Sequence, residues 1–196
     1  MRPTNPKSKT EILKIAVPLF AKAGYSGVTM RQIAEGVGIN AASLYHHFSD
    51  KQSLYIAAIN HSFSGKGQRL LKVLQTTSPP EERLSRFIKE FCHLIYKDPD
   101  FGQLMQREIL DGDEARLRLL AEQVFKEFFN AIADLSHTVA PQFNSHMLAI
   151  SIAGLVSHYY QTAPIRRFLP GGEPENNDPE IVARHITALL LNGIRT

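Results

Sequence analysis

Gly27-Val28-Thr29-Met30-Arg31-Gln32-Ile33-Ala34, followed after three residues by Gly38-Ile39-Asn40-Ala41-Ala42-Ser43-Leu44-Tyr45-His46-His47-Phe48, is the stretch whose reading decides the fold. Thr29 and Gln32 have the spacing of a capping box, in which the hydroxyl takes an orphan amide and the Gln reaches back to the cap residue. A helix therefore starts there. Ile33, Ala34 and Val37 recur at helical spacing. Gly38 is free to take the left-handed conformation that ends a helix, and Asn40 is a good cap for the next one. That second helix is short, with Ala41, Ala42, Ser43, Tyr45, His46 and His47 around an inward pair, Leu44 and Phe48. Two short helices across a tight turn have the form that sets a second helix into a major groove.

Outward from this core the chain continues to read as helix. Residues 1 to 9, with two prolines and three basic residues, read as an arm. A helix from about Thr10 to Gly24 places Ile12, Ile15, Ala16, Leu19 and Phe20 on one face, and Pro18 is expected to bend it by removing an amide. Ser49 and Gln52 repeat the capping-box spacing and open a further helix through Leu54, Tyr55, Ala58 and Ile59.

The ordered series is similar to the DNA-binding domain of the tetracycline-repressor (TetR) family of transcriptional regulators. Ile12 to Tyr25 resembles that family's first helix, and Thr29 to Ala34 resembles its second. Leu44-Tyr45-His46-His47-Phe48, then Ser49 to Leu54, resembles the recognition helix and the helix leading into the second domain. The resemblance implies an all-α protein: residues 1–50 as arm and helix-turn-helix domain, residues 51–196 as a helical effector-binding and dimerisation domain. It implies that Ala41, Ala42, Ser43, Tyr45 and His46 face the major groove, and that Tyr45, His47 and Lys51 meet phosphates. Arg31 matches a position where a basic residue reaches a base or a phosphate, and Thr29 at a helix start is suited to phosphate. Ala41 and Ala42 offer only apolar contact, so part of the readout falls to DNA shape. The partners implied are a double-stranded operator, a second copy of the chain and a small-molecule effector.

Charge placement agrees with that division. Residues 1 to 66 carry eight Lys or Arg against three acidic residues, a net +5, while the rest, with 14 basic against 16 acidic, is −2. A basic head on a slightly acidic body suits phosphate binding by the head alone. A nonspecific nucleoid-type binder would share this asymmetry, and binding to the chain's own upstream DNA separates the two. No apolar run is long enough to span a bilayer and the start lacks a signal peptide's apolar segment, so a cytoplasmic protein without membrane association is expected. The single cysteine, Cys92, excludes an intrachain disulfide and a cysteine-cluster metal site, and reads as core. His46 and His47 are adjacent on a helix and diverge by about 100°, so no metal or other cofactor is expected. No nucleophile with its base, carboxylate pair or phosphate loop points to an enzyme.

Further along, Thr76 to Pro80 is a boundary loop, and the next helix turns Leu84, Phe87, Ile88, Phe91 and Cys92 inward and His93 outward. A helix bearing Phe101, Leu104, Met105 and Ile109 follows, ended by Asp111-Gly112-Asp113. One amphipathic stretch then carries the stripe Leu117, Leu120, Ala121, Val124, Phe128, Ile132 and Leu135 to Pro141. Glu108 lies seven after Phe101 and four after Leu104, so it should point inward, where a carboxylate needs a partner. Arg107, His158 and Tyr159 are candidates, and Glu108, His158 and Tyr159 are equally candidate ligand contacts. Residues 145 to 161 and 179 to 194 form two last helices. In the first, Ala149, Ala153 and Ser157 lie four apart as a smooth ridge. With Ile186 and Leu189 of the second they are the expected dimer interface, since TetR-like proteins pair through their last two long helices. Two heads would then reach successive major grooves, about 34 Å apart, on a palindromic operator.

Overall fold

Ser8 opens the first helix: its hydroxyl accepts from the Glu11 amide while the Glu11 carboxylate returns to the Ser8 amide, a full capping box. The arm expected over residues 1–9 therefore ends two residues early, and its first six residues lie outside those described. The computed structural model describes residues 7–193, all helix and loop with no strand among them.

Helices α1 (Lys9–Ala23), α2 (Met30–Val37), α3 (Ala41–His47) and α4 (Lys51–Leu74) are followed by α5 (Pro80–Lys97), α6 (Pro99–Asp111) and α7 (Glu114–Leu120). A π-helical turn, Ala121–Phe125, leads into α8 (Lys126–Val139), then α9 (Ser145–Gln161), a short α10 (Ala163–Arg166) and α11 (Pro179–Gly193). Pro18 is exposed and α1 passes through it unbroken. Helix α4 is capped by Asp50, whose carboxylate accepts from the Ser53 amide at 2.7 Å. The cap thus falls one residue after the Ser49 expected for it, because a carboxylate is the stronger acceptor for a helix-start amide.

The chain divides into two compact units. The first comprises residues 1–65 and 100–125, so it reaches past a boundary at residue 50 and takes in α6, α7 and the π turn. Burial explains this: Leu54, Tyr55 and Ile59 of α4, Leu104 of α6 and Leu120 of α7 join Ile12, Phe20, Ile33 and Leu44 in one core. Tyr55 is fully buried and meets Phe20 and Tyr25 edge-on at 4.8 and 5.1 Å between ring centres.

The second unit comprises residues 66–99 and 126–196. Its α5 packs against α8, α9 and α11. The core is built on Phe87, Phe91 and Phe128, with Ala149, Ile152, Val156, Val182 and Ile186 closing over them. The stripe expected to run unbroken from Leu117 to Leu135 changes phase at the π turn, where each turn holds an extra residue. Leu120 is buried before it and Phe128, Ile132 and Leu135 after it, while Ala121 is left exposed.

Candidate nucleic-acid interface

Backbone chemistry sets α2 against α3. The Thr29 hydroxyl accepts from the Gln32 amide while Gln32 Oε1 accepts from the Thr29 amide at 2.8 Å. Gly38 ends α2 at φ +77°, a left-handed value that a side chain would strain, and its amide returns to α2 carbonyls. Asn40 Oδ1 then accepts from the Ser43 amide at 2.7 Å and starts α3. Upstream, a Cβ at Gly27 would stand 2.3 Å from the Ala23 carbonyl oxygen, so glycine is required for the approach to α2.

This frame fixes which side chains leave the core. Leu44 and Phe48 are buried, whereas Ala42, Tyr45 and His46 are exposed and Ala41, Ser43 and His47 are partly so. Tyr45 keeps 51% of its surface open. Arg31 extends from α2 into solvent, its Nε donating to Glu35 Oε1 at 2.9 Å, a surface pair that exchanges readily for a phosphate or a base. Thr29 is exposed at the start of the same helix.

Lys51 is held differently. Its ammonium sits 4.4 Å from the centre of the Tyr25 ring, and Arg116 lies 4.1 Å from the same ring. Burial, and then the positive charge of Arg116, lowers the Lys51 pKa from its ordinary value. The aromatic ring thus fixes a cation at the first turn of α4. Arg116 and Tyr25 are neighbours of Lys51 that sequence spacing does not disclose, since they stand far apart in the chain.

Glu108 points inward as its spacing requires, but its partner is Arg116, whose Nε donates to it at 3.0 Å. Arg107 instead donates to the carbonyls of Ala21 and Lys22, both at 2.8 Å, closing the end of α1. Glu108 belongs to the first unit and is paired with Arg116 through Oε1, while its Oε2 is buried without a hydrogen-bond partner. His158 and Tyr159 belong to the second unit. There His158 is exposed, so it lines no interior, and the Tyr159 hydroxyl donates to the Asn176 carbonyl at 2.7 Å beneath the guanidinium of Arg166. Tyr159 ties α9 to the loop before α11. His93, expected in solvent, is partly buried, with Nε2 2.8 Å from Glu180.

The expected dimer ridge is also rotated. Ala149 and Ile186 are buried within their own unit and Ala153 and Ser157 are only partly open. The outward face of α9 is Met147, Ile150, Gly154 and His158, about one residue around the helix. On α11, Leu189 is outward at 53% exposure, beside Ile181. A helix apolar on nearly all sides gives no phase for its solvent face, which is why spacing alone misplaces the stripe.

Comparison with known proteins gives two matches in sequence order, the second running through residues 100–125 that the structure builds into the first unit. Residues 12–58 match the family model for bacterial regulatory proteins of the tetR family. Residues 80–194 match that for the C-terminal domain of the HTH-type transcriptional dual regulator CecR. The HTH-type transcriptional repressor NicS of Pseudomonas putida is 26% identical over 104 residues, which is 53% of this chain and 49% of NicS. The match thus spans about half the length of that relative. Among solved structures, the transcriptional regulator FadR from Bacillus subtilis in complex with stearoyl-CoA superposes with a TM-score of 0.79 at 16% identity, covering 95% of this chain and all of that one. AibR in complex with isovaleryl coenzyme A and operator DNA gives 0.71 at 21%, covering 93% and 97%. At these identities the structures share the fold.

A capped helix-turn-helix in the first unit, with a larger all-helical second unit, defines the two-part helical class to which bacterial regulatory proteins of the matched families belong. This chain belongs to the TetR family, with a C-terminal domain of the CecR type.

Proposed function

We propose that the chain is a ligand-responsive transcriptional repressor that binds a palindromic operator as a homodimer and releases it when a small molecule enters the helical body. The observation that carries this reading is the exposed face of α3 beside the capped turn, within a stretch, residues 1 to 66, of net charge +5. Tyr45, His47 and Lys51 take phosphates and fix register. Arg31 takes a base or phosphate, Thr29 a phosphate, and Ala41, Ala42, Ser43 and His46 lie against the groove. The apolar stripes of α9 and α11, with Ile150 at 54% and Met147 at 68% exposure, support pairing with a second copy, since such surface is covered in stable proteins. The bound stearoyl-CoA and isovaleryl-CoA of the two fold neighbours support a small-molecule input.

In this reading the chain acts by binding and not by catalysis, in the cytoplasm where its operator lies. No helix among the described residues is long and apolar enough to cross a membrane. Footprinting on the DNA upstream of its own gene tests the proposal. A protected, two-fold symmetric site with at least a thousandfold preference over random DNA, roughly the lower end for specific binding, is expected. Uniform protection without a preferred site would replace it with the nucleoid-type reading.

A further inference from the structure

The second unit contains a groove of about 440 Å³ between the last turns of α4 and the second half of α5. Lys66 and Arg69 line one wall, three residues apart. Lys89, His93 and Lys97 line the other, four apart, so they share one face of α5, and the carboxylate of Glu90 lines the groove beside them. Like charges three apart, as at Lys66 and Arg69, disfavour the helix unless something neutralises them. Part of the charge is met within the unit: Asp98 pairs with Lys66, and Glu180 of α11 lies 2.9 Å from Lys89 and 2.8 Å from His93. Glu180 is held below the ordinary carboxylate range by these partners, His93 first and Lys89 next.

Arg69 and Lys97 have no carboxylate partner among the described residues. Lys97, in the last turn of α5, also offsets the negative end of that helix. Arg69 is not in a last turn and has no such duty, yet its planar fork is the donor geometry that takes a phosphate through two parallel bonds. Beside the cations Leu70, fully buried, and Leu94 supply an apolar wall. The volume is that of an ordinary small-molecule site.

We propose that this groove binds the phosphate groups of a small-molecule effector, Arg69 clamping a phosphate in bidentate fashion while Lys97 and Lys89 neutralise the remaining charge and Leu70 and Leu94 receive an adjoining apolar part. The inference rests on the reading of the chain as a regulator with a small-molecule input. It specifies that input as a phosphorylated compound.

Inorganic pyrophosphate and coenzyme A, titrated calorimetrically into the full chain without DNA, test it. Both should bind, more weakly as salt rises. Arg69→Gln and Lys97→Gln should each weaken binding roughly tenfold, the loss of one charge-assisted contact, with an unchanged melting temperature for Arg69→Gln and a small drop for Lys97→Gln, which also loses its charge at the end of α5. Lys72→Gln, on α4 but outside the groove, should bind as the unaltered chain does. Absence of binding, or equal binding by Arg69→Gln, would overturn the proposal. Flotation with vesicles containing phosphatidic acid should show no association, and association abolished by Arg69→Gln would assign the groove to a lipid headgroup instead. Operator-release titrations with coenzyme A thioesters separate the two readings. Groove binding without release would remove the effector role alone, whereas release unchanged in Arg69→Gln and Lys97→Gln would remove the groove alone.

Discussion

Arg116 donates from Nε to Glu108 at 3.0 Å, and both side chains are withdrawn from solvent, with 7% and 0% of their surface exposed. Asp111 and Asp113 meet the outer nitrogens of the same guanidinium, so one cation organises three carboxylates at the junction of α6 and α7. The Tyr55 hydroxyl is buried beside this cluster without a hydrogen bond of good geometry. Burial, and then the negative charge of Glu108, raises its pKa above the ordinary value.

Glu108→Gln keeps the shape and removes the charge facing Arg116. Because Asp111 and Asp113 remain, the cost should fall below that of an isolated buried pair, at about 2 kcal/mol. Thermal melts should show a drop of several degrees. The effector concentration that releases operator from the surviving dimer should not change. A shifted response at unchanged stability would restore a ligand role to Glu108.

Tyr45→Phe and Lys51→Ala should weaken operator and random DNA by similar factors, because phosphate contacts carry no sequence information. Lys51→Ala should also reduce the slope of log affinity against log salt by about one unit. Arg31→Ala should reduce discrimination between operator and random DNA if it reads a base, and only the shared affinity if it holds a phosphate. Fluorescence-anisotropy titrations at three salt concentrations check all three, and unchanged affinity throughout would remove this face as the DNA-binding surface.

Ile150→Arg places a charge on the outward face of α9 and should give folded monomers in sedimentation velocity. Ala149→Arg, one residue earlier and fully buried, should fail to fold. A folded, fully dimeric Ile150→Arg chain would show that the dimer forms elsewhere.

Burial pushes the Cys92 thiol up to about 12 from a reference of 9.0. A thiol-specific reagent at pH 8 should therefore label the native chain only as fast as the second unit opens, and promptly once it is denatured. The sign of the pH effect follows from linkage. Between about pH 9 and 12 the unfolded chain releases a proton that the folded one retains, so stability should fall across that window. Cys92→Ala should flatten part of that decline.

Local rules made much of the head legible. The Thr29–Gln32 box, the left-handed Gly38 and the Asn40 cap depend on neighbours within three residues, and the structure has all three. Where two groups compete for one duty, spacing was insufficient, as with Asp50 displacing Ser49 at the start of α4. Inward Glu108 was legible from its period, but Arg116 was not singled out because the turn at Gly112 sets which residue of the next helix faces back. His93 reads as solvated on α5 alone, and only the arrival of Glu180 from the far end of the sequence covers it. The exposed stripe of α9 is not legible from spacing because apolar residues recur around most of its circumference.

The core beneath the helix-turn-helix requires Leu104 and Leu120, and the end of α1 is closed by Arg107. Residues 66–99, which lie between, are built into the other unit. During synthesis the reading head is therefore incomplete when its own helices leave the ribosome, and it waits for some sixty further residues, on the order of several seconds at bacterial rates. A chain truncated before α7 would carry every residue proposed to touch DNA and still lack the packing that holds them, so the first unit is complete only after residues 66–99 of the other unit have been translated.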